Sequence, residues 1–482
     1  MLLRGGLVAD GIGPVVVRAD VLIEGPVIAW IGPDGETAGA SPESCEVIEL
    51  APGSVVCPGF IDAHVHAEGP LLETGYVEGA LAQGVTTLVA GQDGESWIGA
   101  SAATGRYLDR YFGPVNGSAV PARDLSVSGY REAVAGRLAQ NVAVLASQGT
   151  IRHNVAGMAA GPLDAEQRAA ARRAVQDALA EGAVGLSSGL DYLPSRFAGV
   201  DEIADLAVPL AGAGRPYVSH LRGYGPAVGA GLEELVAVGR AAGVRVHASH
   251  LWGAPDAIEP VFGAAGSAGV PVTFDMYPYR KSSTILAVLL LPPEWQTGGP
   301  DQTLAALRDP RQRAVLLADE SFSGQSLRNL YLGSLPSQYG RFAGLSVAEA
   351  AAASSSPAGE WVLDLLFDAE LNVGAHLDRP ELTEEHLAGQ YLAGDHDTGY
   401  QQIARHLAAN AADVYGLRTR GRLAPSMAAD LCVISPDGIT DHAIYGAPQM
   451  HATGVDMVIV NGVVAWRNGA PAPGRPGEFV SS

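Results

Sequence analysis

Short apolar runs with strand character recur eight times in this chain, and the stretches between them are rich in Ala and Leu at helical spacing. The runs are Gly59 to His66, Thr86 to Gly91, Asn141 to Ser147, Ala183 to Leu190, Pro216 to Arg222, Val244 to Leu251, Pro271 to Tyr279 and Gln390 to Asp397. Asp164 to Glu181 and Leu232 to Ala242 typify the helical stretches. Parallel strands need long crossovers, and a helix is the usual one, so this alternation implies βα units. Eight of them predict an α/β fold, a (β/α)8 TIM-like barrel over residues 55–415. The longest gap, Arg280 to Gly389, holds apparent helices behind a Pro-rich opening at Leu291-Pro292-Pro293. It reads as an insertion between strands seven and eight, covering the C-terminal face where such barrels carry their active sites.

The chain ends are built differently. Residues 1–54 contain short strand-like runs broken by turns, such as Asp20 to Glu24 and Val27 to Pro33, and residues 416–482 repeat the style with Asp430 to Ile434 and Met457 to Val464. Two all-β ends around an α/β middle predict one small β-sandwich domain made from both termini. With 482 residues, 47% hydrophobic and only 17% charged, the chain has ample material for two cores and no disordered bias. A formal charge of −22 argues against nucleic acid and against an anionic membrane as partner, because both repel an acidic surface. The expected partner is a small molecule, with self-association left open. Cys45, Cys57 and Cys432 are too few and too scattered for a disulfide framework. The start lacks a signal peptide's apolar segment and no run reaches the ~18 apolar residues of a membrane helix, so the expected location is cytoplasmic.

Polar residues with metal-binding chemistry sit where the predicted strands end. His64 and His66 close strand one, and alternate residues of an extended strand share a face, so both imidazoles can serve one ion. Asp93 follows strand two, His220 ends strand five, His250 ends strand six, and Asp395 or Asp397 ends strand eight. Any one of them has a bland reading as a satisfied histidine or a turn carboxylate. Their shared placement at one barrel mouth does not. Imidazole and carboxylate together suit Zn2+, as one or two ions, with other divalent metals compatible. There is no phosphate-cradling glycine loop, which removes nucleotide binding from consideration.

The chain resembles the amidohydrolase superfamily, and within it the N-acyl-D-amino-acid deacylases (D-aminoacylases). The resemblance rests on Pro58-Gly59-Phe60-Ile61-Asp62-Ala63-His64-Val65-His66, Gly84-Val85-Thr86-Thr87, Gly182 to Tyr192, Ser219-His220-Leu221-Arg222, Ala248-Ser249-His250, Met276-Tyr277-Pro278-Tyr279, Gly421 to Leu431 and Val460-Asn461-Gly462. It covers nearly the whole chain. It implies a zinc-dependent hydrolase of a linear amide, with His64, His66, His220 and His250 as ligands and attack by metal-bound hydroxide, water's pKa falling from ~15.7 toward ~7. The acid closing strand eight would be the general base and would pass the proton to the leaving amine. Asp395 is the first choice for it and Asp397 the second. Tyr192 and Arg222 fall in matching motifs as substrate contacts, Arg222 offering a fork for a carboxylate, or else as loop-packing residues.

Three departures from the family pattern bear on substrate. Gln92-Asp93-Gly94 stands where the family has Asn-Cys-Gly, which makes Asp93 the expected replacement for a cysteine ligand. Trp252 stands where the family commonly presents a lysine, exchanging a cation for a flat surface that would meet the substrate. Ala393-Gly394-Asp395-His396-Asp397-Thr398 departs from the family's Gly-Ser-Asp-Gly and runs almost directly into a helix, Gln401 to Tyr415. These changes keep two alternatives alive: hydrolysis of a cyclic or otherwise specialised amide or ester, and a catalytically inert relative with a binding role.

Overall fold

The computed structural model describes residues 1–33, 35–36, 45–117, 125–277, 281–378, 396–443 and 450–481, with the backbone alone at 378 and 396–398. Seven barrel strands are present among these residues, every pairing parallel: Phe60–Asp62, Val85–Ala90, Asn141–Val144 continuing as Ala146–Ser147, Leu186–Gly189, Tyr217–His220, Val246–Ala248 and Val272–Phe274. Of the expected eighth strand, residues 390–395 lie outside the described residues. Its last two, His396 and Asp397, instead open the helix His396–Ala404. Residues 278 and 279 of the expected strand seven are also outside.

In strands two to six, residues alternate between two buried environments, which is why most of these runs read as apolar rather than patterned. Leu88, Val142, Val144, Leu186, Tyr217 and Val246 pack outward against helix residues such as Val175, Leu206, Leu232 and Leu235. Val89, Ala143, Leu145 and Val218 point inward with Ile61, where they meet Ala412 and Tyr415 of the last helix. Helix Ala165–Glu181 begins at a capping box, Asp164 accepting from the Gln167 amide while Gln167 returns the bond, and stops at Gly182 in the left-handed region.

Both chain ends join one sheet, ordered Ala470–Pro471, Val463–Arg467, Val455–Val460, Leu431–Ile434, Val55–Pro58, Leu2–Val8, Val17–Glu24 and Val27–Pro33, with Val47–Glu49 alongside Leu2–Val8. Val55–Pro58, which the sequence placed at the start of the barrel, pairs here with Leu431–Ile434, so one strand belongs to the sheet and its continuation to the barrel. Leu431 and Val433 face one apolar cluster with Ile23, Val56 and Met457, whereas Cys432 and Ile434 face another that includes Phe60 and Leu81. The Met457 to Val464 run folds back as a hairpin. Asn461 (φ +46°) and Gly462 (φ +78°) make the turn, and a Cβ on Gly462 would lie 1.8 Å from the Gly25 carbonyl oxygen.

Residues 281–378 form a three-stranded antiparallel sheet, Lys281–Ile285, Gly374–Asp378 and Leu330–Leu332, with helices that include Pro300–Arg308, Val347–Ala353 and Ala358–Asp368. Their apolar core runs on into Trp97, Tyr107, Tyr111, Phe112 and Tyr192 from the loops after strands two and four. The segment is thereby seated on the C-terminal face of the barrel. Among the described residues no helix is long and apolar enough to cross a membrane.

Candidate metal centre

Strand one stops at Asp62, four residues short of His66, where the sequence placed its end. The backbone still runs beside strand two, with Val65 N–H donating to Val89 O at 3.3 Å, while Asp62 Oδ1 accepts from His64 N–H at 3.1 Å. Gln92 Nε2 donates to Ala63 O at 2.7 Å and so ties the histidine segment to the turn that carries Asp93. That turn needs glycine on both sides. Gly91 (φ +78°) would drive a Cβ to 2.5 Å from Leu145 O, and Gly94 (φ +72°) to 2.8 Å from Ser188 Cα. Asp93 itself is left-handed at φ +55°, and His250 is held at φ +35°. Two strained residues meeting at one point are characteristic of a functional site.

Four imidazoles converge on the Asp93 carboxylate. His64 Nε2 lies 3.4 Å and His250 Nε2 3.6 Å from Oδ1; His66 Nε2 lies 3.5 Å and His220 Nδ1 3.6 Å from Oδ2. These distances are too long for hydrogen bonds. Asp93 Oδ1, His64 Nδ1 and His220 Nδ1 are buried without a hydrogen-bond partner, although an unsatisfied buried polar atom costs about 1–3 kcal/mol. Ligand atoms of His64, Asp93 and His250 lie within 4.8 Å of one another. A divalent cation fits between Asp93 and the imidazole nitrogens that face it, because it would satisfy Asp93 Oδ1 and His220 Nδ1 together, while His64 offers Nε2 and turns Nδ1 toward Asp275.

The histidines are oriented from behind. His66 Nδ1 bonds Asn116 Oδ1 at 2.8 Å, and His220 Nε2 faces Asp191 Oδ2 at 3.6 Å. Asp275 accepts from the His250 backbone N–H at 2.6 Å and bonds His247 Nε2 at 2.9 Å, with His64 Nδ1 3.7 Å away. Burial disfavours every charge here, but proximity overrides it. Burial alone would lower His64, yet Asp93 and Asp275 hold its imidazole well above the ordinary range. Burial would raise Asp93, yet His64 and His220 hold its carboxyl well below the usual carboxylate range. At His250 burial prevails and pushes the pKa down to about 4, which keeps a lone pair free at neutral pH.

His64, His66, Asp93, His220 and His250 are therefore brought together as the sequence placed them. Asp395 lies outside the described residues, and of Asp397 only the helical backbone is described. Tyr192 lines the cavity with its ring 4.6 Å from that of His220 and its hydroxyl 3.4 Å from Thr284 Oγ1. Trp252 also lines it. Arg222 is corrected as a substrate fork. Its Nε and Nη2 grip Glu234 at 3.0 and 3.2 Å, Nη1 reaches the carbonyls of Leu190 and Arg196, and Nη2 reaches that of Ala198. All five donors are committed to the loop after strand four and to the helix after strand five. Sequence reasoning gave no role to Asn116, Asp191 or Tyr224. Asp191 had a usable signal, a carboxylate one residue beyond the expected strand Ala183 to Leu190, whereas Asn116 lies 50 residues from its histidine and had none.

A parallel barrel whose strand ends aim four histidines at one carboxylate defines a metal-dependent hydrolase of the amidohydrolase type. No family model matches the sequence. The chain is 32% identical to N-acyl-D-glutamate deacylase of Alcaligenes xylosoxydans xylosoxydans, across 100% of this chain and 96% of that one. It is 29% identical to D-aminoacylase of the same organism, across 98% and 95%. The N-acyl-D-glutamate deacylase structure from Bordetella bronchiseptica, complexed with zinc and a phosphonate mimic of the tetrahedral intermediate, superposes with a TM-score of 0.81 at 25% identity, covering 100% of this chain and 99% of that one. The chain belongs to the N-acyl-D-amino-acid deacylase family of the amidohydrolase superfamily.

Proposed function

We propose that the protein is a zinc-dependent deacylase that hydrolyses the linear amide of an N-acyl-D-amino acid. The observation that carries this reading is the placement of His64, His66, His220 and His250 around Asp93 at 3.4–3.6 Å, at the mouth of a barrel that belongs to this family. Each carboxylate oxygen of Asp93 is faced by two imidazoles, a donor arrangement with capacity for one or two ions. A bound divalent ion supplies Lewis acidity, polarising the amide carbonyl and bringing water's pKa from ~15.7 toward ~7. The chain's own residues do the rest. Asp93 and the histidines fix the reacting centre, while Asn116, Asp191 and Asp275 hold the imidazoles in orientation. Asp395 is proposed to take the proton from the attacking water and return it to the leaving amine, with Asp397 second in line for that role. Tyr192 lines the cavity on the His220 side, where it can meet the substrate. The segment 281–378 covers this face and restricts water, contributing Thr284, Val288 and Leu289 to the cavity. The free state of Cys45, Cys57 and Cys432 supports a reducing, cytoplasmic setting.

Elemental analysis of the purified protein, with hydrolysis of N-acetyl-D-amino acids, their L enantiomers and cyclic amides assayed on the same sample, tests the reading. One or two equivalents of metal with selective turnover of the D substrates is expected. Absence of metal after reconstitution, or turnover confined to cyclic amides, would overturn it.

A further inference from the structure

His247 lies in strand Val246–Ala248, three residues before His250, and its side chain is 3% exposed. Both ring nitrogens are engaged. Nδ1 bonds Thr273 Oγ1 at 2.8 Å across the strand pair in which the two residues are register partners, and Nε2 bonds Asp275 Oδ2 at 2.9 Å. A carboxylate accepts, so Nε2 carries the proton and donates. With one nitrogen fixed on the neighbouring strand, the ring has a single orientation from which to hold Asp275.

Asp275 in turn connects His247 to two histidines of the candidate centre. Its Oδ1 accepts from the backbone N–H of His250 at 2.6 Å, where the chain is held at φ +35°. Its Oδ2, pinned by His247, stands 3.7 Å from His64 Nδ1, a buried nitrogen with no hydrogen-bond partner among the described residues. A histidine that gives Nε2 to a metal carries its proton on Nδ1, and a carboxylate behind it fixes both the tautomer and the ring orientation. Without the His247 N–H, Oδ2 loses its hydrogen bond and the carboxylate is free to turn about its Oδ1 anchor. We propose that His247 is a positioning residue of the metal centre: its Nε2–H clamps the Asp275 carboxylate in the orientation that faces His64 Nδ1, leaving His64 Nε2 for the metal. This rests on the metal-centre part of the deacylase reading and on no step of the reaction.

The test compares wild type with His247→Leu, which removes the donor, and His247→Gln, whose amide N–H falls near the position of the imidazole Nε2–H. Zinc affinity is read by competition with a chelator, and the ligand geometry by the visible bands of the Co2+-substituted protein. His247→Leu should bind zinc roughly tenfold more weakly with shifted Co2+ bands, and His247→Gln should return to within about threefold of wild type. Crystal structures of the metal-free proteins form the arm that needs no metal: the Asp275 carboxylate should turn away from His64 in His247→Leu and keep its place in His247→Gln. Zinc affinity unchanged or raised in His247→Leu overturns the clamp, as does an equal loss in both variants or an unmoved Asp275. A fall in the urea midpoint alone, with affinity and Co2+ bands unchanged, also overturns it, because His247 would then be merely structural. Should His247→Leu not fold, Thr273→Val, which frees Nδ1, takes its place; a weaker zinc affinity there supports the clamp and an unchanged one overturns it. Failure of the wild-type protein to bind zinc would instead refute the metal-centre reading, and the metal-free structures would still decide the clamp.

Discussion

Replacing Arg222 by Lys separates a structural arginine from a substrate-binding one. The guanidinium places two donors on Glu234 and three on the carbonyls of Leu190, Arg196 and Ala198. An ammonium on a single flexible stem keeps the contact with Glu234 at best, and it has no fork with which to reach the carbonyls. Each carbonyl left without a donor costs about 1–3 kcal/mol when dry. The side chain is 31% exposed, so water reaches part of the site and the low end of that range applies. Two to three carbonyls at about 1 kcal/mol each, plus less than about 1 kcal/mol from the weakened ion pair, give an expected loss of about 3 kcal/mol. Urea unfolding with an unchanged slope should show the midpoint fall accordingly. The KM for an N-acetyl-D-amino acid, measured where both proteins are folded, should stay within about threefold of wild type, because no Arg222 donor is available to substrate. A tenfold rise in KM with an unchanged urea midpoint would refute this reasoning and return Arg222 to the role of carboxylate fork.

Asp93→Asn removes the charge on which four imidazoles converge, so competition with a chelator should show zinc affinity weakened at least a hundredfold while circular dichroism is unchanged; retention of wild-type affinity would show that the histidines suffice. Asn116→Leu leaves all ligands in place but frees the His66 ring, and a 10- to 100-fold loss in metal affinity or activity is expected, the range for residues that orient a ligand. Asp395→Asn should keep its metal, by elemental analysis, and lose roughly 100-fold or more in kcat; if Asp397→Asn shows that loss instead, the base is Asp397.

The candidate metal ligands were legible because their information is local. A parallel barrel puts every strand's C-terminal end at one mouth, so strand-end position alone predicts that His64, Asp93, His220 and His250 meet. The residues behind them were not legible. Asn116 reaches His66 from a short helix in a connecting loop, and Tyr224 joins two loops through its hydroxyl, contacts with no periodicity for a sequence to display. Arg222 was ambiguous for a related reason: a guanidinium beside a strand end has the same sequence signature whether it faces the cavity or the loops.

What the sequence determined by itself was the alternation of strand and helix, the two β ends and the type of donor at each strand terminus, since hydrophobic period and covalent position are properties of the chain. Only the tertiary structure decided which donors each side chain spends on protein, where Trp252 lies relative to the ligands, and that Val55–Pro58 belongs to the terminal sheet. These are set by contacts between segments tens to hundreds of residues apart, and the free energy of such contacts is written in no local stretch of sequence.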